Sequence, residues 1–241
     1  MVILVNKEFS NEALASNPSL DLRNVGVAVW SRLLSSCRAQ DLRLYHITLK
    51  SLDGIEVLSE TRELALEWAT KIEQLDSVFQ LLHLSKLSVY DFPKLRSLAG
   101  IEHLHELTEL NLSGSRGAIS PPLNLTTIEP ITRIPTLFSF SLANVRLEDD
   151  DITCLANCSK LRHLYLSKHF DRRQFAFLAK RLNPQLETPL TSHITTNQPC
   201  KNCGERRYIF RGRRMPILCR TCDKEKFQKL EHEFEQLIHD A

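Results

Sequence analysis

Glycine is scarce in this chain of 241 residues, which holds only seven, and no Gly-rich loop able to cradle a phosphate stands out. The strings GxSxG, HExxH and GxxxxGK[ST] are also missing, so the sequence gives no support for an enzyme. No apolar run approaches the roughly 18 residues that cross a bilayer. The opening Met1–Val5 is too short for the core of a signal peptide and has no basic flank, which predicts a soluble, cytoplasmic chain without membrane contact. Charge of one sign is lacking too. Formal net charge is +2, which excludes strong whole-molecule attraction to nucleic acid or anionic lipid. The balance is local, however: residues 201–220 carry seven Lys and Arg against Glu205 alone.

What the chain has in excess is leucine, 40 in all, or about a sixth of the residues against roughly a tenth in average usage. The leucines recur. An apolar-x-apolar tripeptide stands at Leu20/Leu22, Leu42/Leu44, Leu64/Leu66, Leu87/Val89, Leu110/Leu112, Phe140/Leu142 and Leu164/Leu166, at intervals of 22, 22, 23, 23, 30 and 24 residues. A unit of one short strand and a return segment cannot bury its own apolar side, so such units must stack into a continuous core. Alternation along each strand then sends the tripeptide's apolar residues inward and their neighbours onto an open face.

Four stretches depart from the ladder. Ser113–Pro122, rich in Gly, Ser and Pro, reads as a surface insertion that lengthens one interval. Val25–Leu34 and Thr61–Leu82 are compatible with repeats or with helices. Phe170, Phe175, Phe177, Leu178 and Leu182 suit a helical cap on the last unit.

Cys200-x2-Cys203-x15-Cys219-x2-Cys222 is the most specific chemical signal. Two CxxC knuckles joined by a hairpin supply four thiolates for one tetrahedral Zn²⁺, and four protein ligands leave no open position, which makes the ion structural. Cys154 and Cys158 read as small buried hydrophobes, and His103/His105 and His163/His169 lack companions at ligand spacing. After the second knuckle, Phe227, Leu230, Phe234, Leu237 and Ile238 share one helical face, expected to pack back onto the ribbon or the repeats.

Outward strand positions predict a protein-binding surface made of Arg43, Tyr45, Glu67, Trp68, Tyr90, Asp91, Glu109, Asn111, His163 and Tyr165, aromatics interspersed with both signs of charge. The alternative is a nucleic-acid adaptor using Arg206, Arg207, Tyr208, Phe210, Arg211, Arg213 and Arg214 of the basic ribbon, since Arg beside aromatics contacts phosphates and stacks on bases. Glu148–Asp151 lacks the ligand spacing of a calcium loop and reads as a solvated acidic run.

Ile101-Glu-His-Leu-His-Glu-Leu-Thr-Glu-Leu-Asn-Leu-Ser-Gly114 resembles the short repeat of internalin-like leucine-rich-repeat proteins, and Ile134 to Ile152, followed by Leu161 to Phe170, is similar to the closing segment of small bacterial proteins of this kind. The resemblance implies a non-enzymatic recognition scaffold with one protein partner and no small-molecule substrate. Some such proteins are immunity proteins that occlude a toxin. The expected architecture is thus α/β: a leucine-rich-repeat solenoid with a curved parallel sheet over 1–182, a linker over 183–199, and a zinc ribbon with terminal helix over 200–241.

Overall fold

The computed structural model describes residues 1–114 and 121–241, so most of the insertion expected at 113–122 lies outside the described residues. Among the described residues thirteen strands and four α-helices follow one another. In chain order they are β1 (Val2–Leu4), α1 (Asn11–Ser16), β2 (Ser19–Val25), α2 (Val27–Ser36), β3 (Asp41–Ile47), β4 (Glu63–Glu67), β5 (Lys86–Tyr90), β6 (Glu109–Ser113), β7 (Leu123–Leu125), β8 (Ser139–Ala143), β9 (Val145–Leu147), β10 (His163–Leu166), α3 (Arg172–Leu182), β11 (His193–Pro199), β12 (Arg206–Phe210), β13 (Ile217–Cys219) and α4 (Lys224–Asp240).

One parallel sheet of eight strands, ordered β1-β2-β3-β4-β5-β6-β8-β10, forms the body of the molecule. Its register is the leucine ladder itself: Leu20 pairs with Leu42, Leu42 with Leu64, Leu64 with Leu87, Leu87 with Leu110, Leu110 with Phe140 and Phe140 with Leu164. Each of these strands needs no turn to its neighbour, because the chain completes a full coil between them. The longer 30-residue step is taken up by β7, which pairs in parallel with β9 in a separate two-stranded sheet. Sequence spacing alone missed β1, because Ile3 aligns with Leu22 at an interval that is off the period.

The return segments differ along the solenoid. The first two units return through α1 and α2, the first capped by the Ser10 hydroxyl, which accepts from the Ala13 amide at 3.1 Å. Five later returns are 3-10 turns at Ile55–Val57, Val78–Gln80, Ile101–His103, Glu129–Arg133 and Thr153–Asn157. Val25–Leu34 therefore belongs mainly to a helix and Thr61–Leu82 to a strand-and-turn repeat. Gly54 opens the first 3-10 turn at φ +91°, and a Cβ there would lie 2.7 Å from Leu34 Cδ1, so both conformation and space require glycine. Between units, hydroxyls satisfy carbonyls: buried Thr61 donates to Ala39 O at 2.9 Å and Thr108 to Ser85 O at 3.0 Å.

The C-terminal part corrects the expected linker. Residues 193–199 are β11, which pairs antiparallel with β12, and Leu186 and Leu190 are buried in the repeat core. The Thr- and Asn-rich sequence of this strand hides its role because it pairs at an edge and gains little from apolar alternation. β11-β12-β13 form the ribbon sheet. Its own core is three buried residues, Phe210, Leu218 and Phe227, with Tyr208, Met215 and Leu230 packed around them. α4 joins the two parts of the molecule, since Phe227 enters the ribbon core while Phe234 enters the solenoid core. α3 covers the last repeat and packs on α4, as expected of a cap.

Candidate binding face and metal centre

The strands set one row of side chains after another on the outward, open face of the sheet, most of them half-buried or exposed, with Ser88 and Ser113 buried between their neighbours. Register places Asp41, Glu63, Lys86, Glu109, Ser139 and His163 in one row and Arg43, Ala65, Ser88, Asn111, Ser141 and Tyr165 in the next. Tyr45, Glu67, Tyr90, Ser113 and Ala143 form a third. All ten residues expected to bind protein thus come to this face or to its rim, spread over the five strands β3, β4, β5, β6 and β10.

A polar network organises the N-terminal end. Arg43 donates to Asp21 Oδ2 at 2.7 Å and pairs with Glu67, while Arg23 pairs with Asp21 at 2.8 Å. Although partial burial opposes ionisation, the hydrogen bond from Arg23 and the charge of Arg43 hold the Asp21 carboxyl below the usual carboxylate range. Tyr45 lies beneath both cations, 5.5 Å from Arg23 and 5.1 Å from Arg43. Asp21 and Arg23 lie one strand before the first residue expected on the binding surface, and the apolar pair Leu20/Leu22 is the signal that points to them.

A rim of left-handed residues runs along the strand ends, with φ of +66° at Asn24, +55° at His46, +60° at Trp68 and +59° at Asp91. Such backbone is unusual for a tryptophan. It is held there by the ladder, with the Trp68 amide donating to Tyr90 O at 3.0 Å and Ile47 N donating to Trp68 O at 2.9 Å. The conformation turns the indole onto His46, stacked at 4.3 Å, and leaves Trp68 40% exposed. At the far end Tyr165 is 50% exposed. The molecule's tail therefore does not fill the open face: β11–β13 and α4 sit against α3 and the edge of β10 instead.

The four ribbon cysteines converge. Their sulfurs all lie within 4.8 Å of one another, with Cys203 and Cys219 at 3.4 Å and Cys200 and Cys222 at 3.8 Å. Four sulfurs around one tetrahedral ion, each about 2.3 Å from it, would be about 3.8 Å apart, whereas a disulfide would bring two to about 2.05 Å. The quartet fits a metal ion held by four thiolates. Gly204, at φ +76° with no atom near its missing Cβ, makes the knuckle turn in which its amide donates to Cys200 O at 2.9 Å. Asn202 and Cys203 amides draw the Cys200 thiol down to about 7, while its neighbours Cys203 and Cys200 push Cys222 up to about 12. Cys154 and Cys158 behave otherwise, pushed by burial to about 12 and about 11 and so kept as unreactive thiols.

The basic hairpin between the knuckles spends much of its charge within the molecule. Arg213 pairs with Asp150 and donates through Nε to His169 O at 2.9 Å, so the acidic run finds its cation in this same chain. Arg211 is buried, 5.5 Å from the Phe175 ring, and donates to Leu166 O at 3.4 Å on the edge of β10. Phe210 is core, Tyr208 stacks on His193 at 4.9 Å, and Arg207 donates to Ile217 O at 3.3 Å. Of the seven residues considered for nucleic acid, Arg206 and Arg214 are exposed without a contact of this kind.

No family model and no curated protein matches the sequence. Among solved structures, an internalin (inlF) from Listeria monocytogenes aligns at a TM-score of 0.51 and 17% identity, over 70% of this chain and 45% of that one. An internalin C2 (inlC2) from the same organism gives 0.45 and 22%, over 59% and 57%, and a leucine-rich-repeat protein from Leptospira interrogans gives 0.48 and 21%, over 64% and 38%. The chain thus spans less than half the length of the first of these. Among the described residues no helix is long and apolar enough to cross a membrane. With the eight-stranded parallel ladder, the likeness to the first internalin shows the fold: this chain is a leucine-rich-repeat solenoid closed at its C-terminal end by a four-cysteine ribbon and a helix.

Proposed function

We propose that the chain is a non-enzymatic scaffold that captures one protein on the open face of its solenoid, with Trp68 and Tyr165 as the principal anchors. The observation that carries this reading is that these two aromatics stand 40% and 50% exposed, while Tyr45 and Tyr90 on the same face are half-buried. Large rigid rings concentrate binding energy in such surroundings. The concrete role suggested by the likeness to small bacterial repeat proteins is that of an immunity protein, occluding a toxin by lying across it. The ribbon serves as a cap, since Arg211 reaches α3 and β10 and Arg213 reaches the acidic run. The ion we assign to the four cysteines is Zn²⁺, suited to an all-thiolate tetrahedron, and the cytoplasm is the compartment that keeps such thiols reduced.

The test is capture by the purified, metal-loaded chain. The expected result is one protein at 1:1 stoichiometry, released when Trp68→Ala and Tyr165→Ala are combined, with the unfolding midpoint of the double variant close to wild type. Undiminished capture by that variant would remove the open face as the site. Metal analysis should give one zinc per chain, and an absence of zinc in a folded ribbon would refute the ion.

A further inference from the structure

The open face is not electrically neutral. Over β2–β6 and the residue after each strand it presents six carboxylates, Asp21, Asp41, Glu63, Glu67, Asp91 and Glu109, against three cations, Arg23, Arg43 and Lys86. This surplus lies opposite in sign to the basic ribbon end. The cations are engaged: Arg23 and Arg43 with Asp21 and Glu67, Lys86 with Glu109 at 3.2 Å. Asp91 takes part in no ion pair among the described residues. Burial and the nearby charge of Glu67 raise its carboxyl above the usual value, the sign of an anion that no cation compensates.

Position matters as much as charge. Asp91 and Trp68 occupy equivalent left-handed places at the ends of adjacent strands, beside Glu67. An aromatic face next to two carboxylates attracts a guanidinium or ammonium by stacking and by charge together. Between Trp68 and Tyr165 the strands β5, β6 and β8 offer a floor of Ser88, Asn111 and Ser141. Four strand spacings, about 19 Å across the sheet, separate the strands of the two anchors, and Trp68 stands three residues further along its strand than the position in register with Tyr165. This width admits a single helix about 10–12 Å across.

We propose that this face receives a basic helical segment of a protein partner, with a Lys or Arg side chain set between Trp68, Asp91 and Glu67. The inference rests on the reading of the open face as the protein-binding surface and adds the chemistry of what binds. An apolar partner helix would find few large side chains to pack on, and a nucleic-acid backbone would meet the surplus carboxylates.

The probes are a 20-residue helical peptide of Ala and Arg, its Ala and Glu counterpart, and a single-stranded oligonucleotide, each titrated at about 50 mM salt against the metal-loaded full chain. Trp30→Phe leaves Trp68 as the only tryptophan, and anisotropy of a labelled peptide gives a second readout on the unaltered chain. The cationic peptide should shift Trp68 emission and saturate, weakening about tenfold by 0.3 M salt as surface charges are screened. Asp91→Asn should weaken it several-fold and Trp68→Ala at least as much, whereas Lys86→Ala, which removes an opposing cation, should tighten it. Equal binding of the anionic peptide or the oligonucleotide, no binding of the cationic peptide, or an Asp91→Asn variant indistinguishable from wild type would each overturn the inference. If capture of a partner is lost in the Trp68/Tyr165 double variant while these charge variants change nothing, the face stands as the binding site and only its basic ligand is refuted.

Discussion

The solenoid and the ribbon are held together by different means. The solenoid shares one continuous core running from Ile3 to Leu190 and joined by Phe234, in which the inward residues of each strand stack on apolar residues of the next, whereas the ribbon buries three side chains of its own. Each repeat is stabilised by its neighbours, and the apolar area removed from water grows with every unit added. A three-residue core is too small to fold a sheet by itself, which leaves four sulfurs and the anchoring of α4 to do it. The lesson is that one chain can combine a region held by repetition with one whose small core sits beside four cysteines arranged to fit a metal ion.

The strongest way to break this contrast is to remove the metal. Chelation should unfold β11–β13, releasing the ribbon's near-ultraviolet aromatic signal and exposing its amides to exchange, while the amides of β3–β8 stay protected. Loss of protection across the whole chain would show that the two regions are one cooperative unit. A smaller effect separates them by side chain. Leu110→Ala, in the middle of the ladder, should cost about 2–5 kcal/mol of global stability as measured by denaturant unfolding. Phe227→Ala removes a comparable side chain, yet its effect should appear in ribbon exchange and metal affinity with little change in the solenoid's midpoint.

The smallest effect concerns the charged end of the open face. Because Asp21 has a depressed carboxyl, its contribution is present above its unperturbed value of 3.8 and lost as pH falls through and below it. Asp21→Asn should therefore flatten the acid limb of the stability curve, with a loss below about 1 kcal/mol at neutral pH, the scale of a partly exposed ion pair. An unchanged acid limb would show that Arg23 and Arg43 do not favour the ionised carboxyl.

Much of this is legible in the sequence. Leu42, Leu64, Leu87 and Leu110 announce both strand and register, because a coil that stacks identical units must repeat its inward residues at the same interval. Trp68 and Asp91 could be placed at the rim by counting past the strand ends, although their left-handed backbone could not. β11 was not legible, as His193–Pro199 carries no apolar alternation and owes its strand to pairing with β12. Nor were Arg211 and Arg213, whose runs of charge look like a surface for phosphates and prove to be the clasp between ribbon and solenoid.

The amino-acid sequence by itself determined the solenoid and the cysteine quartet, since periodic burial and ligand spacing are local properties that repeat or recur within a few residues. Only the tertiary structure decided which charges remain available to a partner. Arg213 meets Asp150 and Arg172 meets Glu233 across 63 and 61 residues of chain. Contacts at that separation follow from how α3, α4 and the ribbon pack together, and no interval along the sequence encodes them.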